Sequence, residues 1–188
     1  KRGKHPSRGP SAFLVGKVYD ETGDRLTPSR SKKSSGRVIR YYYSNRLISE
    51  WTDPTGWRLR ADMLEQLLSE IVGQRLTEAL TQFRLAPQMK PHGLVEAKKR
   101  LEQLDIKGML DLIKRVDLYE TTARIELDID KVSSLIQTEI SKLDLELLRI
   151  EEPVNLRKRT NGTKLTWVGY KGEPNHALIR AIVTAQAW

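Results

Sequence analysis

The chain has 188 residues, 33 Lys and Arg against 24 Asp and Glu, a net charge of +9 and no cysteine. That length can bury a real core in one or two domains, and 38% apolar with 30% charged residues is a globular composition, not that of a membrane or wholly disordered chain. The missing cysteines exclude disulfides, thiolate zinc sites, iron–sulfur clusters and cysteine nucleophiles, and no apolar run approaches the roughly 20 residues of a membrane helix.

No signal peptide is visible, and the first residue is Lys1, not Met. The sequence therefore reads as a cytoplasmic chain, a fragment of a longer protein or a processed one. Charge is distributed unevenly. Residues 1–60 hold 14 basic and 5 acidic side chains, residues 61–152 hold 13 and 18, and residues 153–188 hold 6 and 1. Two basic blocks flank an acidic middle, and basic blocks of this density suit an anionic partner.

The predicted elements give an α+β fold. Residues 1–12 are basic and rich in Pro, Gly and Ser, a flexible linker. Residues 13–60 form a small β unit: Phe13–Tyr19 is short and β-prone, Asp20 to Asp24 is a turn, Thr27 to Gly36 is a polar mobile loop, and Arg37–Ser44 is a second β run. Such a unit has a thin core and leans on the rest of the chain. Residues 61–112 are helical. Leu64, Leu67, Leu68, Ile71, Val72, Leu76, Ala79, Leu80 and Phe83 recur at helical spacing, with Asp62 and Glu65 in the first turns. Pro87 and Pro91 interrupt it; a second helix spans about 94–104 and a shorter one starts near Lys107.

Residues 113–188 are mixed. Ile113 to Asp130 alternates as a hairpin around Glu120-Thr121-Thr122, and 131–142 is helical. Strands are expected at 145–150, 154–159 and 164–170, with Asn161-Gly162 as the hairpin turn between the last two. A closing helix runs from Asn175 to Trp188.

Catalytic chemistry is hard to find. His5, His92 and His176 are isolated, and no phosphate-binding loop, dinucleotide fingerprint or nucleophile elbow occurs. Asp128 and Asp130 share one face of the expected strand, where they read as an exposed edge rather than a metal pair. The sequence predicts no active site, no metal and no cofactor.

Binding chemistry is easier to find. Arg30, Lys32 and Lys33 precede the run Arg37, Arg40, Tyr41, Tyr42, Tyr43, Arg46. Arginine and lysine neutralise phosphates, and tyrosine hydroxyls bond phosphate oxygens. The other reading of this run is that the tyrosines pack the thin core and only the arginines are exposed. A second basic group, Arg157, Lys158, Arg159 and Lys164, surrounds the Asn161-Gly162 turn as a hairpin tip shaped to press on a phosphate backbone, or as a solvated turn. Double-stranded DNA is the expected partner, with no membrane contact.

The stretch LVGKVYDETGDRLTPSRSKKSSGRVIRYYYSNRLI resembles the region after the catalytic domain in serine site-specific recombinases of the resolvase/invertase superfamily, in their large-recombinase-like branch. The resemblance rests on Gly16–Val18, Asp20 to Gly23, Arg25 to Ser29, Lys32–Lys33 and Arg40 to Ser44. It continues through Trp57 to Ala61 with Leu64-Glu65, then Arg115-Val116 with Ile125 to Leu127, and finally Ala177 to Ala181 and Ala187-Trp188. It implies a DNA-binding C-terminal module of a protein that cuts and rejoins DNA through a phosphoserine link, with self-association in the full-length parent. The family's nucleophile lies N-terminal to this region, and Ser11 and Ser29 do not correspond to it. In many relatives the first β unit is a zinc ribbon. Here Asp20 to Gly23 and Ser44 stand near the thiolate positions, so the ribbon is expected to fold without metal, on apolar packing. The long coiled-coil arm of phage integrases is expected to be reduced or missing. A second reading makes the acidic helical middle a protein-interaction or oligomerisation surface.

Overall fold

A computed structural model describes residues 12–32, 34–49, 55–159 and 162–167. The first apolar run is mostly turn. Residues 13–17 bend, with Gly16 at φ 75°, a backbone angle that favours glycine, and only Val18–Tyr19 (β1) extend. After the Asp20–Asp24 turn, Leu26–Lys32 (β2) and Val38–Ser44 (β3) pair antiparallel over their full lengths, from Leu26 opposite Ser44 to Lys32 opposite Val38. This corrects the mobile loop expected from Thr27. The segment is polar because β2 is the edge of its sheet, where Ser, Thr, Lys and even Pro28 are suited to a strand with one open side.

A short helix, Asn45–Ser49 (α1), and a three-residue strand, Arg58–Arg60 (β4), follow. β4 completes a sheet ordered β2-β3-β4, with Leu59 opposite Tyr42. It runs directly into Ala61–Thr81 (α2), whose Leu64, Leu68, Ile71, Val72, Leu76 and Leu80 are buried as the helical spacing requires.

Pro91–Glu102 (α3) begins on proline, which sits well at a first helical position. Ile106–Asp111 (α4) is capped by Asp105, which accepts the Gly108 N–H at 2.7 Å. Ile113–Leu118 (β5) and Thr122–Leu127 (β6) form the expected hairpin. Ile129–Ile136 (α5) begins earlier and ends earlier than its apolar pattern suggested. Asp128 caps it by accepting the Lys131 N–H, and Gln137, at φ 55°, ends it. Asp128 and Asp130 are therefore helix-start residues and not a strand edge. Residues 145–148 form a 3-10 turn instead of a strand. The chain then extends as one long strand, Arg149–Arg159 (β7), paired with Gly162–Trp167 (β8). The expected helix from Asn175 lies outside the described residues.

The larger sheet has the order β1-β5-β6-β7-β8. β1 runs parallel to β5, with Val18 beside Val116, and the other pairs are antiparallel. A single bridge from Tyr19 to Arg25 joins the ends of β1 and β2, and β4 lies alongside β8. α2 packs on both sheets. One continuous core holds Leu14, Leu26, Tyr42 and Trp57 from the first 60 residues together with α2 and with Val116, Ile125 and Ile150. The fold is α+β, with its longest helix at the centre. None of the helices among the described residues is long and apolar enough to cross a membrane.

Candidate nucleic-acid interface

The basic–aromatic strand divides by its pleat. β3 places Arg40, Tyr42 and Ser44 on the face toward α2 and Ile39, Tyr41 and Tyr43 on the other. On the inner face, Tyr42 is fully buried. Its hydroxyl donates to Glu65 Oε1 at 2.8 Å and accepts the Leu14 N–H at 3.0 Å. Arg40 reaches the same carboxylate, 2.9 Å to Oε2, and Phe13 N–H completes the set at 3.2 Å. Burial, then the nearby Glu65 charge and hydrogen bond, push the Tyr42 phenol well above its ordinary pKa. Neither Arg40 nor Tyr42 offers its polar end to a ligand here, because Glu65 holds both.

Arg46 is similarly committed. Its guanidinium meets Asp20 Oδ2, lies 2.8 Å from Thr22 Oγ1 and 3.0 Å from the Thr55 carbonyl, and pairs with Glu21 and Asp24 at 3.4 and 3.7 Å. Asp20, 2% exposed, also accepts the Ser44 hydroxyl at 2.6 Å and both the N–H and hydroxyl of Thr22. Ser44 Oγ in turn accepts the Trp57 N–H at 2.9 Å, which ties β3 to the start of β4. Burial opposes the charged form of Asp20, but the Ser44 and Thr22 hydrogen bonds and Arg46 together hold its carboxyl below the usual range. A polar knot thus holds the end of the β unit that was expected to rest on apolar packing alone. An arginine cation stands among the oxygens of the Asp20–Asp24 turn.

The outer face sets Tyr41 and Tyr43 beside two arginines outside the basic–aromatic run, Arg58 and Arg60. Thr27 faces Tyr43 and Tyr43 faces Arg58 across the strands; Ser29 faces Tyr41 and Tyr41 faces Arg60. Each row is therefore hydroxyl, phenol, guanidinium. The Arg58 guanidinium stacks 4.4 Å from the Tyr41 ring and 5.5 Å from the Tyr43 ring, and its Nε is buried without a hydrogen-bond partner. Arg60 pairs with Asp62 at the start of α2. The pattern that marks Arg58 and Arg60 in the sequence is their alternation with Trp57 and Leu59, both of which are buried.

β4 pairs only with Tyr41–Tyr43, so the far end of β2 and β3 is a two-stranded ribbon. Arg30, Lys32, Arg37 and Val38 are exposed there. The 25 residues from Arg25 to Ser49 contain seven Lys and Arg and no carboxylate. Lys33 lies outside the described residues. So do the side chains of Arg157, Lys158, Arg159 and Lys164, although the β7–β8 backbone pairs Arg157 with Lys164. The structure thus brings Arg30, Lys32 and Arg37 to one end of the sheet and takes Arg40, Tyr42 and Arg46 inward. Compared with family models, curated proteins and solved structures, the chain finds no match.

Proposed function

We propose that this chain is a double-stranded-DNA-binding module that grips the phosphate backbone through β2–β3–β4. The carrying observation is the carboxylate-free run from Arg25 to Ser49, folded so that Arg30, Lys32 and Arg37 lie at an exposed ribbon end. Tyr43, partly exposed on the outer face of the same sheet, supplies a further donor to phosphate oxygens. The residue pattern from Gly16 to Ser44 further supports a place after the catalytic domain of a serine site-specific recombinase, where the module would hold the outer part of the recombination site. Sequencing the reading frame upstream of Lys1 tests that part: a domain without a serine nucleophile sinks it.

The binding claim is tested by fluorescence anisotropy on duplex DNA across a salt series. If on the order of six phosphates are contacted, affinity falls by orders of magnitude between roughly 50 and 200 mM salt. The double substitution Lys32→Ala, Arg37→Ala should reduce the slope of log affinity against log salt by about 1.8. Salt-insensitive binding, or an unchanged slope in the double variant, overturns the assignment.

The rival reading, an interaction surface on the acidic helices, loses support from two observations. α2 spends its apolar side on the core. The acid excess also lies elsewhere: residues 61–112 hold eight acids and seven bases, whereas residues 113–152 hold ten and six.

A further inference from the structure

The acid-rich part of the chain builds the larger sheet, and the outer face of that sheet is a charge lattice. β5, β6 and β7 set charged residues outward in two rows across the strands, with Lys114 beside the first row at an irregularity in β5. One row is Arg115, Glu126, Arg149; the other is Asp117, Arg124, Glu151. Their signs are opposite, position by position. Within the face, Arg115 binds Asp117 at 2.7 Å, Arg124 lies 3.4 Å from Glu151, and Lys114 binds Glu126 at 2.8 Å. Arg149 has no ion-pair partner among the described residues. The side chains of Arg124 and Glu151 are 58% and 62% exposed, so none of the described residues covers them. Between the rows the surface is a shallow dish of about 250 Å³.

We propose that this face binds a second copy of the chain. Consider a two-fold axis in the contact plane, parallel to the rows and midway between them. It keeps each strand's place along a row and exchanges the two rows. Asp117 then faces Arg115 of the second copy, Arg124 faces Glu126, and Glu151 faces Arg149. Every facing pair is of opposite sign, and symmetry makes each pair occur twice. The Arg149 guanidinium gains the partner it lacks within the chain.

The strands of the two copies stack aligned, an ordinary arrangement for facing sheets about 10 Å apart, which arginine and glutamate side chains can span. Charges of random sign would set like against like at one position or more in most such arrangements. The charges are already paired in the plane and stay partly hydrated, so the gain per pair is modest and is screened by salt. The patch is small, so the dimer belongs with weak, transient contacts and forms at high protein concentration. The inference does not rest on DNA binding, and it uses a different sheet.

Sedimentation velocity on the whole chain, without DNA, tests it. The expected result is a reversible monomer–dimer equilibrium whose dissociation constant rises at least about tenfold between low and half-molar salt. Arg124→Glu sets carboxylates against Glu126 of the second copy, and Glu126→Arg sets guanidiniums against Arg124. Each single variant should be monomeric. An equal mixture of the two should dimerise, because the introduced charges then face each other and the native Glu126 of one chain meets the native Arg124 of the other. The double substitution within one chain should also restore the dimer, and circular dichroism checks that every variant keeps its fold. A wild-type chain that stays monomeric, single variants that still dimerise, or a mixture that stays monomeric each overturns the proposal.

Discussion

On the inner side of the three-stranded sheet and at its end, Arg40 and Arg46 meet carboxylates that water hardly reaches. The Asp20 and Glu65 side chains are 0% and 4% exposed, and Arg46 and Arg40 close over them. On the outer face of the five-stranded sheet the same residue types meet in the open, as Arg115 does with Asp117 or Arg124 with Glu151. The geometry of the contacts is comparable; the water around them is not. A buried carboxylate that loses its arginine cannot recover its hydration, whereas an exposed one simply does. The inner pairs therefore fix the fold of the β unit, and the outer ones are left available for another molecule.

This contrast predicts unequal costs for similar substitutions. Arg46→Ala strands Asp20 in the interior and should cost about 3–5 kcal/mol, read as a lower urea midpoint. A loss below roughly 1 kcal/mol would mean that the knot is open to solvent. The same carboxylate gives a pH signature. Its folded pKa is depressed, so the stability it contributes is full above the unfolded value near 3.9 and is lost as pH falls through the lower folded value. Thermal melts of Asp20→Asn should therefore fall less steeply than wild type below about pH 4.

A smaller effect is expected at the second inner hub. Tyr42→Phe keeps the ring in the core but leaves the Leu14 N–H without its acceptor and Glu65 without one donor. The expected loss is about 1–3 kcal/mol, from the same denaturation assay. A neutral result would show that water replaces the hydroxyl at this site.

These two hubs also mark where the sequence becomes hard to read. The spacing from Leu64 to Leu80 makes α2 visible because every contact it reports lies within one turn or two. The β5–β6 hairpin is visible for the same local reason. Glu65 is different: locally it looks like an acid suited to a helix start. What makes it a hub is Arg40, Tyr42 and Phe13, which arrive from 25, 23 and 52 residues away. Nothing in its neighbourhood announces them. β2 is hidden for another reason. Its serines and threonine suit the open edge it occupies, and that same composition reads as a loop when no partner strand is known. The candidate interface was half legible. Lys32 and Arg37 follow from charge alone, but which tyrosine faces outward depends on which face meets α2.

The smallest expected effect tests the other side of the contrast. Arg115 binds Asp117 through two nitrogens and lies 3.9 Å over the Tyr19 ring, so by contact geometry it looks as well held as Arg46. Its side chain is nevertheless 43% exposed and that of Asp117 is 25% exposed. Arg115→Ala removes an exposed ion pair, worth roughly 0–1 kcal/mol, and an exposed stack over tyrosine of about 0.5–1 kcal/mol. Asp117 stays hydrated afterwards, so no penalty is added for a stranded charge. The urea midpoint, measured at concentrations where the chain is monomeric, should correspond to a loss of about 1 kcal/mol. If Arg115→Ala instead costs as much as Arg46→Ala, the outer lattice is holding the sheet together. Its charges would then not be free to turn toward a second molecule.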